Sequence, residues 1–201
     1  MGSLNILESI KTNKKKKKTK FYQASSSEMF GRSIDKDGFQ RETTKFEPTS
    51  PYGCAKVFAY NLTKHYRNAY KLFAVNGILF NHESPRRGSN FVTSKIIKTA
   101  VRIKKGLENK LVLGNLDSSR DWGHSKDYIR AMHLIINHSV PDDYVVSTGE
   151  TRTVRQLCEY VFKKLDLDIE KYLKQSEKFK RPEELMFLKG DSSKIRKTLK
   201  W

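Results

Sequence analysis

Two short strings carry the side chains best suited to proton transfer. In Tyr52-Gly53-Cys54-Ala55-Lys56 a phenol and an ammonium stand four residues apart, so on a helix they share one face. A positive charge beside a phenol favours phenolate, and a phenol so placed can give and take a proton near neutrality. Spacing alone does not single this pair out, because Tyr60/Lys64 and Tyr160/Lys164 repeat it. Context does. Tyr52 follows Ser50-Pro51, a helix start with a capping residue and proline at the first helical position. Upstream of it lies a strand-like segment that runs into Ser25-Ser26-Ser27-Glu28. Ligands of open α/β sheets bind at the carboxyl ends of the strands. A serine there can share a proton with a tyrosine, and Glu28 can serve as a general base. A polar turn is the plainer reading of the same four residues.

Two further strings have the chemistry of binding rather than of proton transfer. Asn81-His82-Glu83-Ser84-Pro85-Arg86-Arg87-Gly88 follows an apolar run, again at a carboxyl end. Paired arginines there can hold phosphate bidentately, and His82 is a candidate ligand contact. Arg120-Asp121-Trp122-Gly123-His124 reads as a second functional loop, with a plain turn as its alternative. Other patterns carry little. The glycosylation sequons at Asn61 and Asn137 fall in or beside expected helices. His133 and His138 are five residues apart and share no helical face, which makes them poor joint metal ligands. No metal-ligand spacing and no P-loop string is present.

The elements that must position these residues follow from periodicity and punctuation. Leu4, Ile6, Leu7 and Ile10 mark one face of a short helix, broken by Lys14–Lys18. A strand is expected over 20–25, a polar loop over 31–49 and a helix from Ser50-Pro51 to about Tyr70. Leu72–Phe80 is an apolar run of the length of a buried parallel strand. After a loop over 81–90, an amphipathic helix fills 91–105 and Gly106 ends it. Strands are expected at 111–113 and 144–147, and helices at 126–137 and 154–165, with an irregular tail after Asp166. The alternation argues an α/β fold with a parallel sheet. A doubly wound sheet opens with a strand, a glycine-rich turn and a helix that cradles pyrophosphate. Neither glycine-rich string occurs here, so the expectation is a fragment, with about a hundred residues of a first half missing.

Composition narrows the classes. A hydrophobic fraction of 37% builds a core. No stretch nears the roughly 20 apolar residues of a membrane helix, and the first residues lack a secretory pattern. Cys54 and Cys158 are too few for a disulfide framework and read as reduced thiols of a cytoplasmic protein. The net charge of +18 would suit a polyanion, a phosphorylated substrate or a lysine-biased surface. No nucleic-acid-binding motif accompanies it, and the Lys14–Lys18 run reads as a solvated turn.

Taken together, the blocks Tyr22–Gly31 (YQASSSEMFG), Ser50–Lys56 (SPYGCAK), Asn76–Gly88 (NGILFNHESPRRG), Leu113–Tyr128, Asp142–Thr151 and Lys180–Glu184 resemble, in order and approximate spacing, the GDP-mannose 4,6-dehydratases. The resemblance covers almost the whole chain. It implies an extended short-chain dehydrogenase with a partial Rossmann-like sheet and a small C-terminal substrate-binding part. Residues 1–90 would then be the C-terminal portion of an NADP-binding domain, and 91–201 a nucleotide-sugar-binding region interleaved with its remaining elements. Such enzymes convert GDP-mannose to GDP-4-dehydro-6-deoxy-mannose by internal hydride transfer through NADP and loss of water, the first step of GDP-fucose synthesis.

Carried over residue by residue, the resemblance makes Tyr52 the tyrosine that takes the 4-hydroxyl proton and Lys56 the lysine on the nicotinamide ribose. Ser26 stands where most relatives have threonine, and Glu28 matches the carboxylate that removes the C5 proton. His82 and Arg87 match cofactor contacts, and Asn81, Lys95, Arg120, Arg181 and Glu184 match nucleotide-sugar contacts. The absent glycine-rich turn, the lysine run and the irregular tail depart from the family pattern. The resemblance also implies a homo-oligomer, dimer or tetramer, with no nucleic acid, membrane or metal partner. Two alternatives stay open: an inactive fragment serving dimerisation or regulation, and a related GDP-sugar epimerase or dehydratase.

Overall fold

The computed structural model describes residues 1–179, 183 and 185–201. Its elements run α1 (Gly2–Thr12), β1 (Lys20–Ser26), α2 (Pro51–Tyr70), β2 (Phe73–Leu79), β3 (Asn81–Glu83), α3 (Val92–Lys104), β4 (Leu111–Leu113), β5 (Ser119–Arg120), β6 (Trp122–His124), α4 (Ser125–Asn137), β7 (Asp143–Val146), β8 (Arg152–Thr153), α5 (Val154–Lys164), α6 (Ile169–Tyr172), β9 (Leu173–Gln175) and α7 (Ser193–Leu199). The Lys14–Lys18 run forms an exposed turn between α1 and β1.

Three parallel strands in the order β1-β2-β7 form the central sheet. Register runs from Lys20↔Phe73 to Ser26↔Leu79 on one side of β2 and from Asn76↔Asp143 to Leu79↔Val146 on the other. Both neighbours and both faces of β2 are covered, and from Ala74 onward every residue of it is buried. That burial explains its mostly apolar sequence, with the one polar side chain, Asn76, hydrogen-bonded to Asp143 at 2.7 Å. Tyr22 of β1 lies so close across the sheet that a Cβ at Gly77 would stand 1.9 Å from its hydroxyl. Only glycine fits there.

Helix α2 begins where the sequence says it should. Ser50 caps it, Pro51 takes the first turn, and Lys71 ends it in the left-handed conformation at φ 55°. Helices α1 and α2 cover the face of Phe21 and Ala74, with Leu7, Tyr66 and Leu72 in the seam. Helix α4 sends Tyr128, Ala131 and Ile135 into the larger cluster around Val75, Ile78, Phe80 and Val145. A second apolar cluster lies apart from the sheet, between α3, β4 and α5. Leu185, Leu188, Ile195 and Leu199 return to the first cluster, so the two halves of the chain interleave.

The differences from the sequence-based expectations are local. The loop expected over 81–90 opens with β3, which pairs in parallel with β6 from the Arg120–His124 string. The functional loop expected there is held in two short strands, β5 and β6, and β5 pairs antiparallel with β8. The tail after Asp166, to which the sequence assigns no elements, holds α6, β9 and α7, with β9 parallel to β4. Strands of two or three residues are too short to carry a period of their own. They exist through partners far off in sequence.

Candidate active site

The carboxyl end of β1 and the first turns of α2 meet, and the side chains singled out from the sequence lie at that junction. Strand β1 ends at Ser26, whose hydroxyl accepts the N–H of Glu28 at 3.2 Å and so caps a single 3-10 turn over Ser27–Met29. The turn packs against α2. It leaves Ser26 and Glu28 half-buried at the mouth of the sheet. A carboxylate oxygen of Glu28 accepts the Ser50 hydroxyl at 3.2 Å, which links the β1 end directly to the α2 cap. The backbone approach is close as well. A Cβ at Gly53 would lie 2.9 Å from the Glu28 carbonyl oxygen and 2.9 Å from the Pro48 side chain.

Tyr52 and Lys56 sit one turn apart on the exposed side of this junction. The Lys56 ammonium lies 5.4 Å from the centre of the Tyr52 ring and donates to the Ala24 carbonyl at 2.7 Å. Tyr52 is 52% exposed, so its phenol faces open space rather than core. The other tyrosine–lysine pairs differ. Tyr60 is buried, with its hydroxyl on Asp143 at 3.2 Å, and Tyr160 lies on an outer face of α5. Burial, followed by the neighbouring Asp143 carboxylate, pushes the Tyr60 phenol well above its ordinary range. That is the wrong direction for a proton carrier at neutral pH.

Asn81 and His82 open β3, directly after the strand that pairs with β1. The Asn81 side-chain oxygen is buried with no hydrogen-bond partner. A buried orphan acceptor of this kind is what a polar ligand would satisfy. His82 stacks on Tyr128 with ring centres 4.8 Å apart, and its Nδ1 sits 2.9 Å from the Phe80 carbonyl. Arg87 lies over the Phe91 ring at 3.6 Å and within 3.2 Å of Glu83, though not aligned there as a hydrogen bond. Arg120 lies on β5 and donates to the Ser119 carbonyl at 2.9 Å. Lys95 is turned toward the second cluster, donating to the Val112 carbonyl at 2.7 Å beneath the Phe179 ring. Arg181 and Glu184 lie outside the described residues.

Asp121, in the string read as a functional loop, has a supporting role. It is fully buried and accepts N–H groups from Thr148 at 2.8 Å, Gly149 at 2.9 Å and Gly190 at 3.3 Å. The sequence shows Ser50 only as a helix cap, because the residue it reaches, Glu28, is 22 positions upstream.

A nicotinamide cofactor can be judged against these residues. Lys56 and Tyr52 form a partly exposed phenol–ammonium pair at the strand end where such cofactors bind, and Asn81, just after the neighbouring strand, offers an unspent acceptor. These fit the nicotinamide-ribose end of a dinucleotide. The sequence offers no glycine-rich turn for the pyrophosphate. Among the described residues no group of His, Cys, Asp and Glu could hold a metal ion, and no helix is long and apolar enough to cross a membrane.

The chain also has relatives among known proteins. GDP-mannose 4,6 dehydratase 2 of Arabidopsis thaliana is 48% identical over 202 residues, covering 100% of this chain and 53% of its own. The human GDP-mannose 4,6 dehydratase is 43% identical over 218 residues, covering 100% and 58%. The Yersinia enterocolitica enzyme is 49% identical over 170 residues, covering 85% and 45%. The chain thus spans about half the length of the curated relatives it matches. Among solved structures, a dTDP-glucose 4,6-dehydratase from Bacillus anthracis in complex with NAD superposes with a TM-score of 0.86 at 21% identity, covering 100% of this chain and 60% of that one. RMD from Pseudomonas aeruginosa, complexed with NADPH, gives 0.86 at 23% identity, covering 100% and 66%. These two share the fold. The family model described as GDP-mannose 4,6 dehydratase matches residues 1–201, and the chain belongs to that family.

Proposed function

We propose that this chain carries the catalytic machinery of a GDP-mannose 4,6-dehydratase, working in the cytoplasm on GDP-mannose with NADP and assembling as a homo-oligomer. The observation that supports it most is the junction of β1 and α2. There a carboxylate (Glu28), a tyrosine–lysine pair (Tyr52, Lys56) and a serine hydroxyl (Ser26) converge in a chain matched along its whole length by the family model. On this reading residues 1–90 are the C-terminal portion of the cofactor-binding domain, and 91–201 the sugar-nucleotide region interleaved with it.

The bound cofactor would supply reversible hydride acceptance, taking hydride from C4 of the mannose and returning it at C6. Every other step falls to side chains of this chain. Tyr52, beside the Lys56 ammonium, takes the proton of the 4-hydroxyl, and Ser26 shares that proton. Lys56 holds the nicotinamide ribose. Glu28 removes the C5 proton, made acidic by the C4 ketone, and passes it to the C6 hydroxyl, which leaves as water; the proton held by Tyr52 and Ser26 is then returned at C5. His82 and Arg87 hold the cofactor. Asn81, Lys95, Arg120, Arg181 and Glu184 hold the sugar nucleotide, and arginine suits its diphosphate.

Incubating the chain with GDP-mannose and NADP, and following the nucleotide sugar by mass, tests the reading. The expected product is lighter than substrate by one water, and Tyr52→Phe lowers its rate about a hundredfold or more. No dehydrated product from the folded wild-type chain would overturn the proposal in favour of the inactive dimerisation or regulatory module. Product with an inverted C4 and no loss of water would favour the epimerase.

A further inference from the structure

Ser50 does two jobs with one oxygen. Its lone pair accepts the N–H of Gly53 at 3.0 Å, which caps α2. The remaining hydrogen is directed at the Glu28 carboxylate, 3.2 Å away. A hydroxyl has one proton to give. With its acceptor side used by the helix, the orientation of that proton is set by backbone geometry. Gly53 makes the arrangement possible, because any Cβ there would meet the Glu28 carbonyl and the Pro48 side chain at 2.9 Å. The helix that presents Tyr52 and Lys56 is thereby tied, through its own cap, to the carboxylate at the end of β1.

We infer that Ser50 is a positioning residue: it donates to Glu28 and holds it, as a carboxylate, in register with Tyr52 on the same helix. This rests on the dehydratase reading for its catalytic consequence, but not for the link itself. A carboxylate that must take a proton from carbon gains from a donor that fixes its orientation. The cap and the donation are separable by substitution. Alanine at position 50 removes both. Threonine keeps both. Aspartate keeps a good cap, since its oxygen accepts from the helix, but has no proton to donate and sets one carboxylate against another.

The experiment measures two things on the full chain: unfolding in urea, and the kinetics of GDP-mannose dehydration with NADP. In a double-mutant cycle of Ser50→Ala with Glu28→Ala, the stability losses are expected to be non-additive. In kinetics, Ser50→Ala should lower kcat about tenfold with KM nearly unchanged, and Ser50→Thr should restore it. Ser50→Asp should unfold near the wild-type midpoint and yet lose at least as much kcat. Additive stability losses, or wild-type kcat in Ser50→Asp, would overturn the inference. Should the wild-type chain fail to turn over, the dehydratase reading falls, and the cycle still decides whether Ser50 holds Glu28.

Discussion

The central sheet has two edges, and they are finished in different ways. At the β7 edge the Val145 N–H is met by the Glu42 carboxylate at 2.7 Å, and the Asp143 carbonyl by the Lys194 ammonium at 2.8 Å. Behind them Asp143 is locked in place: Arg67 reaches both of its oxygens at 2.8 Å and Asn76 adds a bond at 2.7 Å. At the β1 edge the Ala24 carbonyl is held by Gln23 at 3.1 Å and by Lys56 at 2.7 Å, and Ala24 itself is exposed. One edge is met by a half-buried carboxylate, Glu42, and a partly exposed lysine, Lys194, with the buried Arg67–Asp143 pair behind them. The other is held by a half-buried lysine that has a second role in the proposed chemistry. Edge groups that go unpaired invite association, so both finishes guard the sheet, but only the first is anchored in the core.

The sharpest way to break this contrast is to remove Asp143. Its side chain is 6% exposed and that of Arg67 12%, so Asp143→Ala would strand a buried guanidinium. We expect a loss of about 3–5 kcal/mol in urea unfolding, enough to leave much of the chain unfolded at 37 °C. Burial pushes the Asp143 carboxyl up, but the bonds and charge of Arg67, with Asn76 and Tyr60, outweigh it and hold the group below the ordinary carboxylate range. A depressed folded pKa contributes stability that is present above the unfolded value, about 3.9, and lost as pH falls through the folded one. The acid limb of the stability profile should therefore flatten in milder Asp143 variants. A variant that unfolds like wild type would mean the pair is not structural.

At the opposite edge the expected pattern reverses. Lys56→Met should change the unfolding free energy by about 1 kcal/mol or less, since the half-buried side chain keeps its apolar stem and gives up one hydrogen bond to a carbonyl that Gln23 still reaches. Turnover of GDP-mannose, and NADP binding measured by fluorescence titration, should fall by about a hundredfold or more. A large stability loss with binding intact would assign Lys56 to the sheet instead of the site.

Between these extremes lies the junction itself. Gly53→Ala places a methyl against the Glu28 carbonyl and Pro48, and the overpacking should cost about 1–3 kcal/mol in thermal unfolding. Because the clash bears on the segment that carries Glu28, kcat should fall further than stability alone accounts for. Gly53→Ala with wild-type kcat would mean that the junction tolerates displacement.

How much of this was legible in the sequence depends on how local each signal is. Helix α2 and strand β2 are written in adjacent residues, as a Ser-Pro cap and a mostly apolar run, and so are the serine cluster and the Tyr52/Lys56 spacing. The short strands are not. Asn81 finds Trp122, and Ser119 finds Thr153, across gaps that no period reports. The same limit hid the supporting roles. Asp121 sits in a string that looks functional, yet its partners are Thr148, Gly149 and Gly190. Ser50 looks like a cap alone, and its proton reaches back across the loop to Glu28. Sequence displays which side chains can do chemistry, while the groups that hold them still are scattered.

The smallest effect is the one that tests how the β7 edge is built. Glu42 is raised above the ordinary carboxylate range by burial, opposed by the Val145 N–H it accepts. A raised folded pKa works opposite to that of Asp143. Its contribution is fully present below the unfolded value, about 4.3, and is lost as pH rises through the folded one, where a charge must be carried in a half-buried place. Glutamine at position 42 keeps an oxygen for Val145 and carries no charge. Glu42→Gln should therefore match wild type at pH 4 and become more stable than it by up to about 1 kcal/mol at pH 7. Urea unfolding at the two pH values measures the difference directly. A variant less stable at pH 7 than at pH 4, relative to wild type, would mean that the Glu42 charge itself holds the edge, and that both edges of the sheet are then kept by ions rather than one by burial and one by function.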